Sequence, residues 1–179
     1  GVLTNFSFAD GTFHPHNPDW AVADKITKAF EHHHLRVASL HGYYDLVDPD
    51  RARRKQGEAR MEFLIANWKR LGCPVISTGT FNRQSEGLDA RENSAETAFV
   101  QCRDVLARFA HMAEETGAVL ALEVYWRNVI GTIERVDRLF REVNSPALKL
   151  VMDPANYFRN EDLPRMDAML QEMFQRWGD

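Results

Sequence analysis

Cysteine is scarce. The two thiols in 179 residues, Cys73 and Cys102, lie far apart with no C-x-x-C partner, so a disulfide framework is excluded and both are expected as reduced core thiols. Long apolar runs are missing too: none approaches the ~18 residues of a membrane span. The opening Gly1-Val2-Leu3-Thr4 lacks the basic start of a signal peptide, and a cytoplasmic location is the expectation. Positive charge is not in excess. With 22 Lys+Arg against 26 Asp+Glu and a net charge of −4, nothing attracts nucleic acid in general, and the basic run Arg51, Arg53, Arg54, Lys55 reads as a solvated helix start. Among the 10 glycines none forms a phosphate-cradling loop after a strand, and no low-complexity linker divides the chain. What is present, 44% apolar and 27% charged residues, is the composition of one globular domain spanning residues 1–179.

The apolar pattern alternates between two kinds of segment. Short strand-like runs occur at 2–8, 35–40, 74–80, 118–123 and 148–152. Helical stripes follow each: Ala21, Val22, Ile26, Ala29 and Phe30 after the Asn17-Pro18 start; Met61, Leu64, Ile65, Trp68 and Leu71 up to Gly72; Phe99, Cys102, Leu106, Phe109 and Ala113 up to Gly117; Val136, Leu139, Phe140 and Val143 after Thr132; and Met166, Leu170, Met173, Phe174 and Trp177 after Asp162-Leu163-Pro164. Asn93 with Glu96 has the spacing of a capping box. His32, His33 and His34 fall at the end of the first helix, pointing in three directions, which suits a helix terminus and not a metal. The polar stretch 81–91 has the length of a functional lid or substrate edge.

Five strand–helix units, about 30 to 40 residues each, predict parallel strands with helices outside and strand ends converging on one rim. Five are too few to close an eight-stranded barrel, so the expectation is a partial TIM barrel or an open sheet. Its exposed edge implies completion by further barrel segments or by a partner subunit, hence a homo-oligomer or a longer parent chain.

Two of the strand runs end in a carboxylate. The run Ala118 to Leu122 closes on Glu123, and Leu148 to Met152 closes on Asp153. Ends of adjacent parallel strands are ~4.8 Å apart, so these acids are placed either to share a divalent ion or to cap a helix and pair with an arginine such as Arg127. His41 ends the second strand on the same rim, as a hydrogen-bonding group or a ligand.

The segments Val37-Ala38-Ser39-Leu40-His41-Gly42, Leu71-Gly72-Cys73-Pro74-Val75-Ile76, Ala121-Leu122-Glu123 and Val151-Met152-Asp153-Pro154-Ala155-Asn156 closely resemble the xylose-isomerase-like TIM-barrel superfamily of sugar isomerases and epimerases. The resemblance implies a divalent metal ion (manganese, cobalt, magnesium or zinc) held by Glu, Asp, His and Glu. Glu123 matches the first ligand and Asp153 the second, and the other two are expected beyond Asp179. It implies a sugar or polyol-like substrate, with proton transfer through an enediolate and Glu123 as both ligand and base. Asn156 takes a place where relatives carry a substrate-binding histidine, and Trp126 and Arg127 become a sugar platform and a polar anchor, or pack the loop against the rim. The fragment alone is expected to be inactive.

Four other readings stand beside this one. A metal-dependent lyase or dehydratase needs the same ion and proton abstraction. A degenerate barrel would bind without turnover. A trinuclear DNA-repair site is disfavoured, because the third strand ends Ser77-Thr78-Gly79-Thr80 without histidine. His14-Pro15-His16 resembles an amidohydrolase His-x-His pair but sits several residues past its strand.

Overall fold

The computed structural model describes residues 18–80 and 93–178. The expected strand at 2–8, the His14-Pro15-His16 loop and the segment 81–91 lie outside those residues. Four of the five expected strands are described: β1 Leu40–His41, β2 Val75–Gly79, β3 Val119–Glu123 and β4 Leu148–Val151. They form one sheet in the order β1-β2-β3-β4, every pair parallel. The helices are α1 Trp20–His32, α2 Arg51–Leu71, α3 Glu96–Thr116, α4 Ile133–Val143 and α5 Met166–Trp177, with 3₁₀ turns Pro154–Tyr157 and Asn160–Arg165 before α5. Parallel neighbours need a crossover long enough for a helix, and each sequential pair of strands has one. The result is the parallel α/β arrangement of consecutive units in a barrel wall.

The apolar stripes account for the core. Met61, Leu64, Ile65 and Leu71 of α2 are buried, as are Phe99, Cys102, Leu106, Phe109 and Ala113 of α3, against Ile76, Leu120 and Leu122 of the sheet. Each such fully buried large side chain stabilises the fold by about 1.5–3 kcal/mol. Both cysteines are free and buried, as expected. Gly72 and Gly117 close α2 and α3 in the left-handed conformation at φ 75 and 74, where a side chain would be strained.

Several local expectations change. The second expected strand is shortened to Leu40–His41, and Leu35 closes the turn that ends α1. His34 turns left-handed at φ 53, and the Leu35 N–H returns to the Phe30 carbonyl at 2.8 Å, the wrap that ends a helix. The Asn93–Glu96 capping box is absent. Ala95 is the N-cap without a side-chain bond, Asn93 instead donates to the Arg127 carbonyl at 2.7 Å, and Glu96 pairs with Arg138 at 2.6 Å. The last helix starts at Met166, after a 3₁₀ turn in which Asp162 receives the Arg159 N–H, and Phe174 of the expected stripe is 55% exposed. The basic run at 51–55 does open α2. Its Arg53 is held by Asp48 at 2.7 Å, which offsets cations placed at the positive end of a helix dipole.

Two glycines shape the segment that leaves β1. A Cβ on Gly42 would meet Met61 Cε at 2.7 Å and Ile76 Cγ2 at 2.9 Å, so the chain after His41 lies directly on the core. Gly57 sits inside α2, and a Cβ there would run into the Cβ, Cγ and Cδ2 of Tyr44. Those atoms are the rigid root of a ring that also packs edge-on to Phe109, with centroids 6.5 Å apart. Glycine to alanine inside a helix ordinarily gains about 1 kcal/mol. Here Gly57→Ala is expected to lose about 1–3 kcal/mol through overpacking, measurable as a lower denaturation midpoint in urea.

Candidate active site

Glu123 is the last residue of β3, paired with Gly79 on one side and Val151 on the other. Leu122 behind it is fully buried, so strand alternation and sheet register bring the carboxylate to the rim. Both of its oxygens are engaged. Oε2 accepts from the Tyr43 hydroxyl, and Oε1 accepts from Asn156 Nδ2 at 3.1 Å. Burial first, and then the bond to Glu123, push the Tyr43 phenol well above its ordinary value, so it stays a donor across the accessible pH range.

Asn156 joins three segments. Its side chain holds Glu123, its carbonyl accepts the Trp126 N–H at 2.9 Å, and its own N–H returns to the Asp153 carbonyl at 3.1 Å. Asp153 lies two residues past β4, where its N–H bonds back to the Val151 carbonyl at 3.1 Å, a tight turn at the strand end. Glu123 and Asp153 therefore stand on the same rim at the ends of adjacent strands. Neither is paired with Arg127. That guanidinium lies over the Trp126 ring, 4.5 Å from its centroid, with Arg159 at 5.2 Å from the same ring. Trp126 thus carries two guanidiniums, an arrangement that holds the loop and leaves less of its face for a sugar platform.

His41 pairs with Ser77 at the end of the sheet and its ring lies 4.4 Å from that of Tyr43. Burial, helped by the Arg60 charge, lowers its pKa, so at neutral pH it is an uncharged imidazole with one donor and one acceptor. Five of the six expected residues, His41, Glu123, Trp126, Asp153 and Asn156, are linked through shared bonds, stacked rings or adjacent strand ends, and Arg127 attaches through Trp126. Tyr43 was not among the expected residues. Its signal is the position two residues past a strand-end histidine, in His41-Gly42-Tyr43-Tyr44.

Two further residues fix the loop after β3. Thr80, fully buried, accepts the Ile130 N–H on Oγ1 at 3.0 Å. Arg135 donates to the carbonyls of Asn93 and Val129, each at 2.6 Å, and to those of Ser94 and Ala95. A divalent ion takes several oxygen ligands, and the described residues hold no cluster of three or more side chains able to bind one. Glu123 and Asp153 are two hard oxygen donors on adjacent strand ends, which fits a shared ion of the magnesium or manganese type as part of its ligand set.

A family model for the xylose isomerase-like TIM barrel matches residues 5–177. The chain belongs to that family. No curated protein sequence matches this xylose isomerase-like barrel chain at a significant level. Solved structures share its fold at low identity. A xylose isomerase-like TIM barrel protein from Mycobacterium smegmatis in complex with magnesium has a TM-score of 0.65 at 17% identity, over 86% of this chain and 54% of that one. The 3-keto-D-glucoside 4-epimerase of E. coli has 0.64 at 19%, over 86% and 62%. The D-psicose 3-epimerase of Clostridium cellulolyticum H10, solved with D-tagatose, has 0.60 at 17%, over 80% and 51%. The barrel chain spans about half to three fifths of the length of these proteins.

The loop anchor gives a direct test. Thr80→Val keeps the shape but leaves the Ile130 N–H buried without its acceptor, and about 1–3 kcal/mol of stability is expected to be lost; equilibrium denaturation of the two proteins measures it.

Proposed function

We propose that this chain forms part of a divalent-metal-dependent sugar isomerase or epimerase that moves a proton through an enediolate. The observation that carries the reading is the pair of strand-end acids, with Glu123 held at both oxygens by Tyr43 and Asn156 and Asp153 on the neighbouring strand. A carbon acid next to a carbonyl loses its proton readily only when the developing enediolate oxygen meets fixed positive charge. A divalent ion, to which Glu123 and Asp153 would contribute ligands, supplies that charge when bound. The family, the magnesium complex of one structural relative and the sugar substrates named for two others support the assignment.

The chain's own residues divide the work. Glu123 takes the proton from the sugar carbon, and the two donors on its carboxylate aim it, so little reorganisation is needed at the moment of transfer. Tyr43 and Asn156 act on Glu123 as positioning residues. His41, uncharged beside Tyr43, offers a hydrogen bond to a substrate hydroxyl. Arg127 reaches solvent beside the site and gives a polar anchor at its mouth. A second base on the opposite face of the sugar and the remaining ligands would come from elsewhere in the complete enzyme. Removal and return of a proton at carbon is also the first half of a lyase reaction, so the readout below follows the proton itself.

Incubated with a ketose panel in D₂O, the full-length protein is expected to place deuterium at the carbon next to the carbonyl, detected by NMR. Glu123→Gln should reduce the rate about 10²–10⁴-fold with unchanged far-UV circular dichroism. Undiminished exchange in that variant, or no exchange with any ketose in the unaltered protein, would remove the proposal.

A further inference from the structure

The segment that leaves β1 alternates in burial. Gly42 and Tyr44 are buried, whereas His41 and Tyr43 are half-buried and carry the rings that stack at the rim. Its last bond to the sheet runs from the Gly42 N–H to the Ser77 carbonyl at 2.8 Å. Beyond that point α2 takes over. Gly57, Arg60 and Met61 share one face of the helix by their i, i+3, i+4 spacing, and each meets one residue of the segment. Met61 lies where a Cβ on Gly42 would collide, and Gly57 receives the Tyr44 side chain. Between those two packing contacts, Arg60 Nη2 donates to the Tyr43 carbonyl.

The polar link does what the packing does not. Contacts at Gly42 and Tyr44 set how close the chain lies to α2, but they are non-directional. A hydrogen bond has a direction, so the bond to the Tyr43 carbonyl orients the peptide plane that follows Tyr43, and with it the side chain whose hydroxyl donates to Glu123. A guanidinium stays charged across the pH range, and a charged donor makes the stronger bond. The acids on either side of it in sequence turn elsewhere: Glu58 and Glu62 both pair with Arg108 of α3, at 3.2 and 2.5 Å. Burial first, and then the Arg60 charge among others, lower the His41 pKa. Both rim-facing residues of the segment therefore respond to one side chain on α2.

We propose that Arg60 is a positioning residue for the proton transfer, holding the Tyr43 carbonyl so that the phenol is aimed at Glu123. This rests on the reading of Glu123 as the base. Arg60 acts through Tyr43 and not on the sugar, so its contribution belongs to the chemical step and depends on the Tyr43 hydroxyl. A role in packing alone would lower stability and leave that dependence absent.

The test is a double-mutant cycle on the full-length protein, with Arg60→Met, Tyr43→Phe and the two combined, read as kcat and KM for deuterium exchange into the ketose that the unaltered protein turns over. Arg60→Met is expected to lower kcat about 10–100-fold, the scale of a misplaced catalytic group, with KM unchanged. Added to Tyr43→Phe, the same substitution should lower kcat by less than about twofold, because the group it aims is already gone. Far-UV circular dichroism and urea denaturation check that each variant is folded; if Arg60→Met is not, Arg60→Lys, which keeps the charge and a donor but not the planar fork, takes its place in the cycle with the same pattern and a smaller loss expected. An unchanged kcat, a loss confined to KM, or losses that multiply in the combined variant would overturn the role of Arg60 and leave Glu123 as the base. No exchange in the unaltered protein would overturn both.

Discussion

The in-register parallel pairing of β2, β3 and β4 is the constraint on which the site depends. Gly79, Glu123 and Val151 lie side by side across three strands, and a slip of one residue would turn Glu123 into the core and a leucine out to the rim. The register is held by the residues behind it. Ile76, Leu120 and Leu122 are fully buried and Leu148 nearly so, and each would be exposed by the same slip. The apolar cost of misplacing them is what fixes one carboxylate at the end of one strand.

From that fixed point the site is built by hydrogen bonds between strand ends. Tyr43 comes from the segment after β1, Asn156 from the turn after β4, and both donate to Glu123. Three non-adjacent pieces of chain thus meet on one carboxylate. Arg135 and Thr80 tie down the loop after β3 from the other side, satisfying buried carbonyls and an N–H that would otherwise be costly. A group placed by several independent segments changes little when a ligand arrives, which is the form of preorganisation that proton transfer and ion binding both need. Tyr44, wedged onto Gly57, anchors the same segment that delivers Tyr43 and His41, so packing in the core and geometry at the rim are one problem.

Much of this was legible in the residues. The strand runs closing on Glu123 and Asp153, the stripes of α2 and α3, and the glycines that end those helices are period signals set by burial, and the fold follows them. The misses share a cause. Leu35 looks like the start of a strand, yet it closes a helix because His34 adopts a left-handed turn that local composition does not announce. Asn93 has the spacing of a cap, but the carbonyl of Arg127 competes for its amide from 34 residues away. Tyr43, Thr80 and Arg135 act through partners 80, 50 and up to 42 residues distant, and no local pattern encodes such pairs. Trp126 is the mixed case: its place beside the site was readable, whereas the two guanidiniums over its ring were not.

The claim that joins fold to chemistry is that Glu123 and Asp153 share a divalent ion. Titrating the full-length protein with manganese, followed by calorimetry and by the electron paramagnetic resonance of free Mn²⁺, measures it directly. Loss of an outer-shell partner of a metal site costs about 10–100-fold in affinity, and loss of a ligand at least as much. The expected result is one ion per chain, with affinity reduced by at least that range in Glu123→Gln and Asp153→Asn alike. Stoichiometric binding that is unchanged in both variants, or no binding by the unaltered protein, would contradict it.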